Sequence, residues 1–155
     1  YFCTIPASLY GPNDSFDPVR SHVTAALIVQ FHDAKMSGKK SVELWGSGLP
    51  LRELLFCEDA ARGALMLLEK YAFPELPINM GSGEEFTIRQ LAKIISEVVG
   101  FEGEIIFDRV RPDGSPRKLL DSSKITALGF RPKVSLAEGL RRTYEWFLSS
   151  GLGQP

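Results

Sequence analysis

Three side chains in this sequence have types and positions that suit a ligand carrying phosphate. His22 stands where a helix is predicted to begin, and an imidazole there can act as a proton donor. Arg52 follows a turn rich in glycine and can present its planar guanidinium group to a diphosphate. Trp45 precedes the same turn and can stack on a base or a sugar. These residues indicate proton transfer on a ligand that is bound through its phosphates.

Each candidate has a structural alternative that the sequence leaves open. His22 is also explained as a surface or helix-capping residue, and a tryptophan such as Trp45 is more often packed in a core. Arg52 has acidic neighbours, Glu53 and Asp59, with which it could form a buried ion pair. The second histidine, His32, is predicted to lie on the surface.

A polar loop adds a second group of candidate ligands. Residues 108–118 hold four basic residues and two acids, together with two prolines and one glycine. Such a loop suits an anionic ligand, with an acid such as Asp113 bonding a ribose or the edge of a base. A solvated loop without a ligand is the alternative.

The sequence lacks several motifs that a complete redox enzyme needs. A nicotinamide dinucleotide requires a glycine-rich turn between a strand and a helix, and residues 46–48 and 81–83 are only G-x-G. No tyrosine is followed four residues later by the lysine that assists hydride transfer to a carbonyl. There is also no G-x-S-x-G elbow and no pair of histidines at metal-binding spacing. Neither complete hydride-transfer chemistry nor a metal site is predicted.

Composition restricts the class of protein further. The chain has 155 residues, 44% of them hydrophobic, and no apolar stretch of the roughly 20 residues that a membrane helix needs. Its 18 Lys and Arg against 19 Asp and Glu create no global field for nucleic acid. Cys3 and Cys57 are too far apart for a zinc motif or a disulfide framework. We expect a cytoplasmic protein that binds neither nucleic acid nor membrane.

Hydrophobic periodicity predicts strands that alternate with helices. An apolar run over residues 1–6 predicts a buried strand, and its place at the start of the chain indicates that an amino-terminal part of a sheet is missing. Ser21 is predicted to cap a helix over about residues 23–36. Thr87 with Gln90, and later Ser135 with Glu138, fit the capping-box pattern of two further helices. Further strands are predicted at residues 42–45, 51–56, 77–80 and 105–107. An α/β architecture with a largely parallel sheet follows.

Five stretches resemble, in order, the motifs of the GDP-L-fucose synthase family, a branch of the extended short-chain dehydrogenase/reductase superfamily. They are Leu9–Asp14, Ser21–Val23, Trp45–Glu53, Asn79–Gly83 and Pro112–Leu119. The resemblance covers nearly the whole chain and implies the carboxyl-terminal part of an extended Rossmann-type reductase. It implies that residues 1–83 complete the sheet, that residues 84–150 mainly form a small substrate-binding lobe, and that residues 151–155 are a tail.

The resemblance also implies a reaction. Enzymes of this family use NADPH to convert GDP-4-keto-6-deoxy-D-mannose to GDP-L-fucose, inverting C3 and C5 before they reduce C4. The C4 ketone acidifies the protons at C3 and C5, so one base and one acid can invert these carbons through an enolate. His22 matches the family's acid, a histidine. Cys3 and Cys57 do not match its base, a cysteine.

Ligand-binding positions are carried over in the same way. The matches to nucleotide-sugar-binding positions are Trp45, Arg52, Asp113 and Gln30, the last standing where the family has a basic residue. The matches near NADPH are Ser8, Leu9 and His22, with Ser8 in place of the family's asparagine. The main NADPH-binding motif is absent from this chain, and the full-length protein is expected to form a homodimer. Another NAD(P)-dependent sugar-nucleotide epimerase or dehydratase, or a non-catalytic nucleotide-sugar-binding module, is the alternative.

Overall fold

The structure is a computed structural model that describes residues 3–17, 20–70 and 77–153. Strands and helices alternate along these residues as the sequence predicts. In chain order they are β1 (Thr4–Pro6), β2 (Ser8–Tyr10), α1 (Val23–Met36), β3 (Ser41–Trp45), β4 (Leu51–Phe56), α2 (Cys57–Lys70), β5 (Ile78–Met80), β6 (Glu85–Thr87), α3 (Ile88–Val99), β7 (Glu104–Asp108), β8 (Arg117–Lys118), α4 (Ser123–Ala127) and α5 (Leu136–Ser149).

The strands form three small groups in which most pairings are parallel. β1 pairs with β5, and β3 pairs with β7 along its whole length. β4 is the centre of the third group: its second half pairs with β2, and its first half pairs with both β6 and β8. Only the pairing of β4 with β6 is antiparallel among the described strands. The predicted α/β class with largely parallel strands is confirmed.

Local sequence explains the helix ends. The Thr87 hydroxyl accepts the N–H of Gln90 while the Gln90 side chain accepts the N–H of Thr87, which is the predicted capping box at the start of α3. Gly100 ends that helix in the left-handed region, with φ of 73°. At α5 the Ser135 hydroxyl caps the helix as predicted, but the Glu138 carboxylate bonds Arg141 and does not complete the box.

Two predictions near the amino terminus are wrong. α1 has the predicted bounds, but its N-cap is His22, because the N–H of Ser21 is bonded to the Asp17 carbonyl in the preceding turn. β1 is a strand, but it is not buried, since Ile5 is 45% exposed and belongs to neither hydrophobic cluster. The rest of that predicted strand, residues 1 and 2, lies outside the described residues.

Two hydrophobic clusters form the interior. The larger one packs α1, α3 and α5 together and takes side chains from both sides of residue 83. The smaller one lies between α2, α4 and β5 and includes Leu67, Ile78 and Ile125. β4 serves both, because successive side chains on a strand point to opposite faces. Leu54 and Phe56 enter the larger cluster, and Leu55 enters the smaller one.

Candidate functional site

The turn at residues 46–50 brings together the segments that carry the candidate ligands. The N–H of Gly46 bonds the Asp108 carbonyl at the end of β7, and the N–H of Arg89 at the start of α3 bonds the Gly48 carbonyl, each at 2.9 Å. The N–H of Leu51 bonds the carbonyl of Pro116, also at 2.9 Å. β3, β4, α3 and the loop 108–118 therefore meet at one place, which we call the turn site.

Asp113 fixes this turn from the loop opposite. Its Oδ1 accepts the N–H of Ser47 at 2.8 Å and its Oδ2 accepts the Ser47 hydroxyl at 2.7 Å. The hydroxyl bond, followed by the N–H bond, holds the pKa of the Asp113 carboxyl below its ordinary value of 3.8. Gly46 has φ of 84°, and a Cβ there would come within 2.2 Å of Asp113 Oδ1. Only glycine fits at that position.

Arg52 lies beside the turn with its charge unpaired. Its Nη1 donates to the carbonyls of Leu51 at 2.7 Å and Ser115 at 2.8 Å. Among the residues the structure describes, no carboxylate lies within ion-pair distance of this guanidinium. The two acids that were its possible partners have other contacts: Glu53 binds backbone N–H groups, and Asp59 binds backbone N–H groups and forms an ion pair with Arg62. An Arg held by carbonyls keeps its positive charge available for an anion.

Trp45 is on the surface of this site. It ends β3 opposite Asp108 and is 70% exposed, so the interpretation as a core residue is wrong. The reason is strand alternation: Val42 and Leu44 point inward, and Trp45 points out. The guanidinium carbon of Arg111 lies 4.9 Å from the centre of a Trp45 ring. Trp45 is therefore an exposed aromatic surface beside a cation.

Glu53 supports the site from beneath, a role that its sequence position did not reveal. It is 1% exposed, and its Oε1 accepts the N–H of Gly83 at 2.8 Å while Oε2 accepts the N–H of Leu120 at 3.0 Å. A Cβ on Gly81 would come within 2.1 Å of this carboxylate. One buried acid thus ties two loops to β4 next to Arg52.

In the two G-x-G stretches, three N–H groups donate to protein acceptors. Gly46 and Ser47 donate to Asp108 and Asp113, and Gly83 donates to Glu53. These N–H groups are therefore not offered to a pyrophosphate.

An ion pair closes the base of the loop. Arg117 makes two bonds to the carboxylate of Glu85 across β4, at 2.8 and 2.6 Å. The pair raises the pKa of Arg117 and lowers that of Glu85. Arg117 was a possible phosphate ligand in the sequence, but here it has a carboxylate partner. Arg89 has no carboxylate partner within the described part of the chain: its Nη2 donates to the Ser47 carbonyl, and its guanidinium lies over Phe107.

The other candidate residues lie on β2 and α1. His22 is exposed at the first turn of α1, and its side chain makes no capping hydrogen bond. Gln30 is exposed on the same helix, about 12 Å further along its axis. Ser8 and Leu9 pair with Leu54 and Leu55 of β4. Among the described residues, no hydrogen bond or ion pair joins His22 or Gln30 to the turn site, whereas Ser8 and Leu9 are connected to it through β4.

His32 is a buried residue and not the surface residue that the sequence predicted. It is 4% exposed, with Nδ1 3.0 Å from the Tyr144 hydroxyl and Nε2 2.9 Å from the Gly153 carbonyl. The carbonyl can only accept, so Nε2 donates to it and Nδ1 accepts from the tyrosine. His32 therefore connects α1 to α5 and to residue 153.

Neither described cysteine is suited to act as a base. Cys3 is exposed, and Cys57 begins α2 beside Tyr10 and Gly11. Burial raises the pKa of the Cys57 thiol, whereas a cysteine base needs a thiolate. Burial likewise raises the pKa of Tyr10.

Two further features are absent from the described residues. No group of three or more His, Cys, Asp or Glu side chains is arranged to hold a metal ion. None of the helices in residues 3–17, 20–70 and 77–153 is long and apolar enough to cross a membrane.

Known proteins resemble this chain in sequence and in fold. GDP-L-fucose synthase 1 of Arabidopsis thaliana is 52% identical over 146 residues, which cover 94% of this chain and 45% of that protein. A GDP-L-fucose synthetase from Naegleria fowleri, solved with NADP bound, superposes with a TM-score of 0.89 at 31% identity, over 96% of this chain and 47% of that one. UDP-glucose 4-epimerase of Thermotoga maritima, solved with UDP-glucose, superposes with a TM-score of 0.81 at 27% identity, over 97% and 46%.

These comparisons agree on the family. This chain spans about half the length of each of these relatives. The family model described as "NAD dependent epimerase/dehydratase family" matches residues 1–81, more than half of the chain. The chain belongs to the NAD-dependent epimerase/dehydratase family.

Proposed function

We propose that this chain is the nucleotide-sugar-binding part of an NADPH-dependent GDP-L-fucose synthase, which converts GDP-4-keto-6-deoxy-D-mannose to GDP-L-fucose. The observation that carries the proposal is Arg52, a partly buried guanidinium with no carboxylate partner among the described residues, at the turn site that also includes the exposed Trp45. A cation next to an aromatic surface can bind a diphosphate and the base or sugar attached to it. The 52% identity to a GDP-L-fucose synthase supports this choice of ligand.

Each residue of the site has a role in this proposal. Arg52 binds the diphosphate, and Trp45 stacks on the nucleotide. Asp113 bonds a ribose or the base with the acceptor capacity that remains beside its two bonds to Ser47. Gln30 contacts the phosphates as a neutral donor, so the charge of Arg52 provides most of the neutralisation there.

His22 acts in the epimerisation. A base removes the proton from C3 or C5, and the electron pair moves into the C4 carbonyl to give an enolate. The protonated imidazole of His22 then donates a proton to the same carbon from the opposite face, which inverts that carbon and restores the ketone. The exposed position of His22 at the start of α1 leaves its ring accessible for this step.

NADPH, when bound, supplies the hydride that reduces C4. Ser8 and Leu9 are proposed to contact it from β2, where both remain partly accessible. Three N–H groups of the two G-x-G turns are bonded to protein acceptors, which supports the proposal that the main cofactor motif belongs to another part of the full-length protein. We further propose that the full-length protein works as a cytoplasmic homodimer.

The first test concerns Arg52. Loss of one charge-assisted contact costs about 2 kcal/mol, so Arg52→Ala should raise the Kd for GDP-L-fucose roughly 30-fold. Calorimetry on the natural full-length polypeptide measures this. Arg131→Ala is the matched control, because Arg131 also donates to two carbonyls but lies away from the turn site. Equal affinities for Arg52→Ala and the unsubstituted protein would refute the proposed site.

A second test separates the two chemical steps. His22→Asn should slow solvent-deuterium exchange at C3 and C5 much more than it slows reduction of a ketone that is already epimerised. Equal loss of both steps would make His22 a structural residue. A polypeptide that binds GDP-L-fucose but not NADPH would be the non-catalytic module, and one that prefers UDP-glucose would be another epimerase of the family.

A further inference from the structure

Trp45 and Arg111 form a pair at the rim of the turn site. The Arg111 guanidinium lies over the Trp45 ring, and its Nε is 3.8 Å from a carboxylate oxygen of Asp108. Asp108 is also the β7 residue paired with Trp45 in the sheet. The ring and the carboxylate together hold the Arg111 side chain in one place.

Arg111 still has donors to offer a ligand. Apart from the Asp108 pair, it makes no hydrogen bond within the described part of the chain, and its side chain is 57% exposed. Guanidinium groups carry five N–H donors in a fixed planar arrangement, so at least two remain free at Nη1 and Nη2. Because the side chain is already ordered by Trp45, binding a ligand costs it less conformational entropy.

We propose that Arg111, stacked on Trp45, selects a guanine base by donating two hydrogen bonds to its O6 and N7 atoms. The inference deepens the proposed function and rests on it, because Trp45 must contact the nucleotide for Arg111 to reach the base. Selection between bases matters in this family: GDP-sugar and UDP-sugar proteins both share the fold of this chain.

The chemistry of the bases explains the selection. Guanine presents two adjacent acceptors, O6 and N7, which match two parallel N–H donors of arginine. Adenine replaces O6 with an amino group, a donor that would face the guanidinium. Uracil has no N7, so it can accept only one of the two bonds. A positive charge alone would not distinguish the three bases, whereas a bidentate hydrogen-bond donor does.

The neighbouring basic residues are less suited to this role. Arg117 is bound to Glu85 through two bonds, and Arg89 is held over Phe107. Arg109 lies in the same exposed loop but has no contact with Trp45 in the described structure. Arg109 is therefore the matched control, since its removal changes the loop charge equally.

The experiment measures Kd values for GDP, ADP and UDP by calorimetry on the natural full-length polypeptide and its variants. We expect the unsubstituted protein to prefer GDP. Arg111→Ala should weaken GDP binding about tenfold and change ADP and UDP binding less than twofold. Arg111→Lys, which keeps the charge but loses the planar group, should lose the preference in the same way. Arg109→Ala should retain it.

Two results would overturn the inference. If Arg111→Ala weakens the binding of all three nucleotides equally, Arg111 contributes only its charge. If it weakens the binding of none of them, Arg111 does not contribute to binding. In both cases the base is selected by other residues. If Arg52→Ala nevertheless weakens GDP-L-fucose binding in the separate calorimetric test of Arg52, the proposed function survives and only the inference fails. If the unsubstituted polypeptide binds none of the three nucleotides, the proposed function fails and the inference fails with it.

Discussion

The buried carboxylate of Glu53 gives the sharpest test of how the turn site is held. Each of its two oxygens accepts a hydrogen bond from one backbone N–H, that of Gly83 or that of Leu120, so the side chain acts only as an acceptor. Glu53→Gln keeps the shape but replaces one oxygen with an amino group. The backbone N–H of either Gly83 or Leu120 then faces the new amino group, which is a donor, and loses its hydrogen-bond acceptor.

The size of the effect follows from these two contacts. A hydrogen bond to a charged acceptor contributes about 1.5 to 3 kcal/mol, and a buried N–H without a partner costs a similar amount. Glu53→Gln removes one such bond and weakens the other, which predicts a loss of about 3 kcal/mol of unfolding free energy. For a domain of this length that corresponds to a fall in Tm of roughly 6 to 12 °C.

Urea and thermal unfolding followed by circular dichroism measure this loss. Glu84→Gln is the control, because the Glu84 side chain is exposed and should change stability by less than about 0.5 kcal/mol. We also expect Glu53→Gln to weaken GDP-L-fucose binding, since Arg52 is the next residue on β4. A loss below about 0.5 kcal/mol for Glu53→Gln would show that the two N–H bonds do not hold the loops as described.

Three further predictions follow from other contacts. Asp59→Asn should lower the unfolding free energy by about 2 kcal/mol in urea titrations, because the buried Asp59 carboxylate accepts N–H groups from the segment before α5. Iodoacetamide at pH 8 should label exposed Cys3 faster than Cys57, whose pKa is raised by burial, as mass spectrometry can show. Asp113→Asn should lower Tm at pH 7 and pH 5, and the difference should vanish as the pH falls below 3.8.

The sign of the last prediction follows from linkage. The folded state keeps Asp113 ionised to a lower pH than the unfolded chain does, because Ser47 stabilises the carboxylate. Its contribution is therefore complete above the ordinary pKa and is lost as the pH falls through the lowered one. A difference in Tm that is independent of pH would contradict this. For Asp59→Asn the control is Asp33→Asn, an exposed position on α1, and for the labelling it is Cys3→Ser.

Local sequence patterns predicted the helices well. The bounds of α1 and the capping box of α3 follow from residues within one turn of each other, so a short window contains the information. β2, β6 and β8 were missed because each has only two or three residues and pairs with β4, a contact that lies far away in the sequence. The burial of His32 depends on Tyr144, which is 112 residues away, and no local pattern contains that contact.

For the candidate site, the sequence named candidate side chains but not their partners. Trp45 and Arg52 were named as ligand candidates, and the structure leaves Trp45 exposed and Arg52 without a carboxylate partner. The link between Asp113 and Ser47 spans 66 residues and was not foreseen. Glu53 appeared only as a possible partner of Arg52. One sequence signal could have indicated that Glu53 is buried: it follows an arginine inside an otherwise apolar strand.

The division of β4 between two hydrophobic clusters has a consequence for how the chain folds. A slip of one residue in the pairing of β4 with β2 would exchange the faces of the strand. Leu55 would then leave the smaller cluster, Leu54 and Phe56 would leave the larger one, and the Glu53 carboxylate would turn toward the larger cluster. A slip of one residue therefore disrupts the packing of both hydrophobic clusters at once. Both hydrophobic clusters can therefore form only when β4 is paired with β2 in the native register.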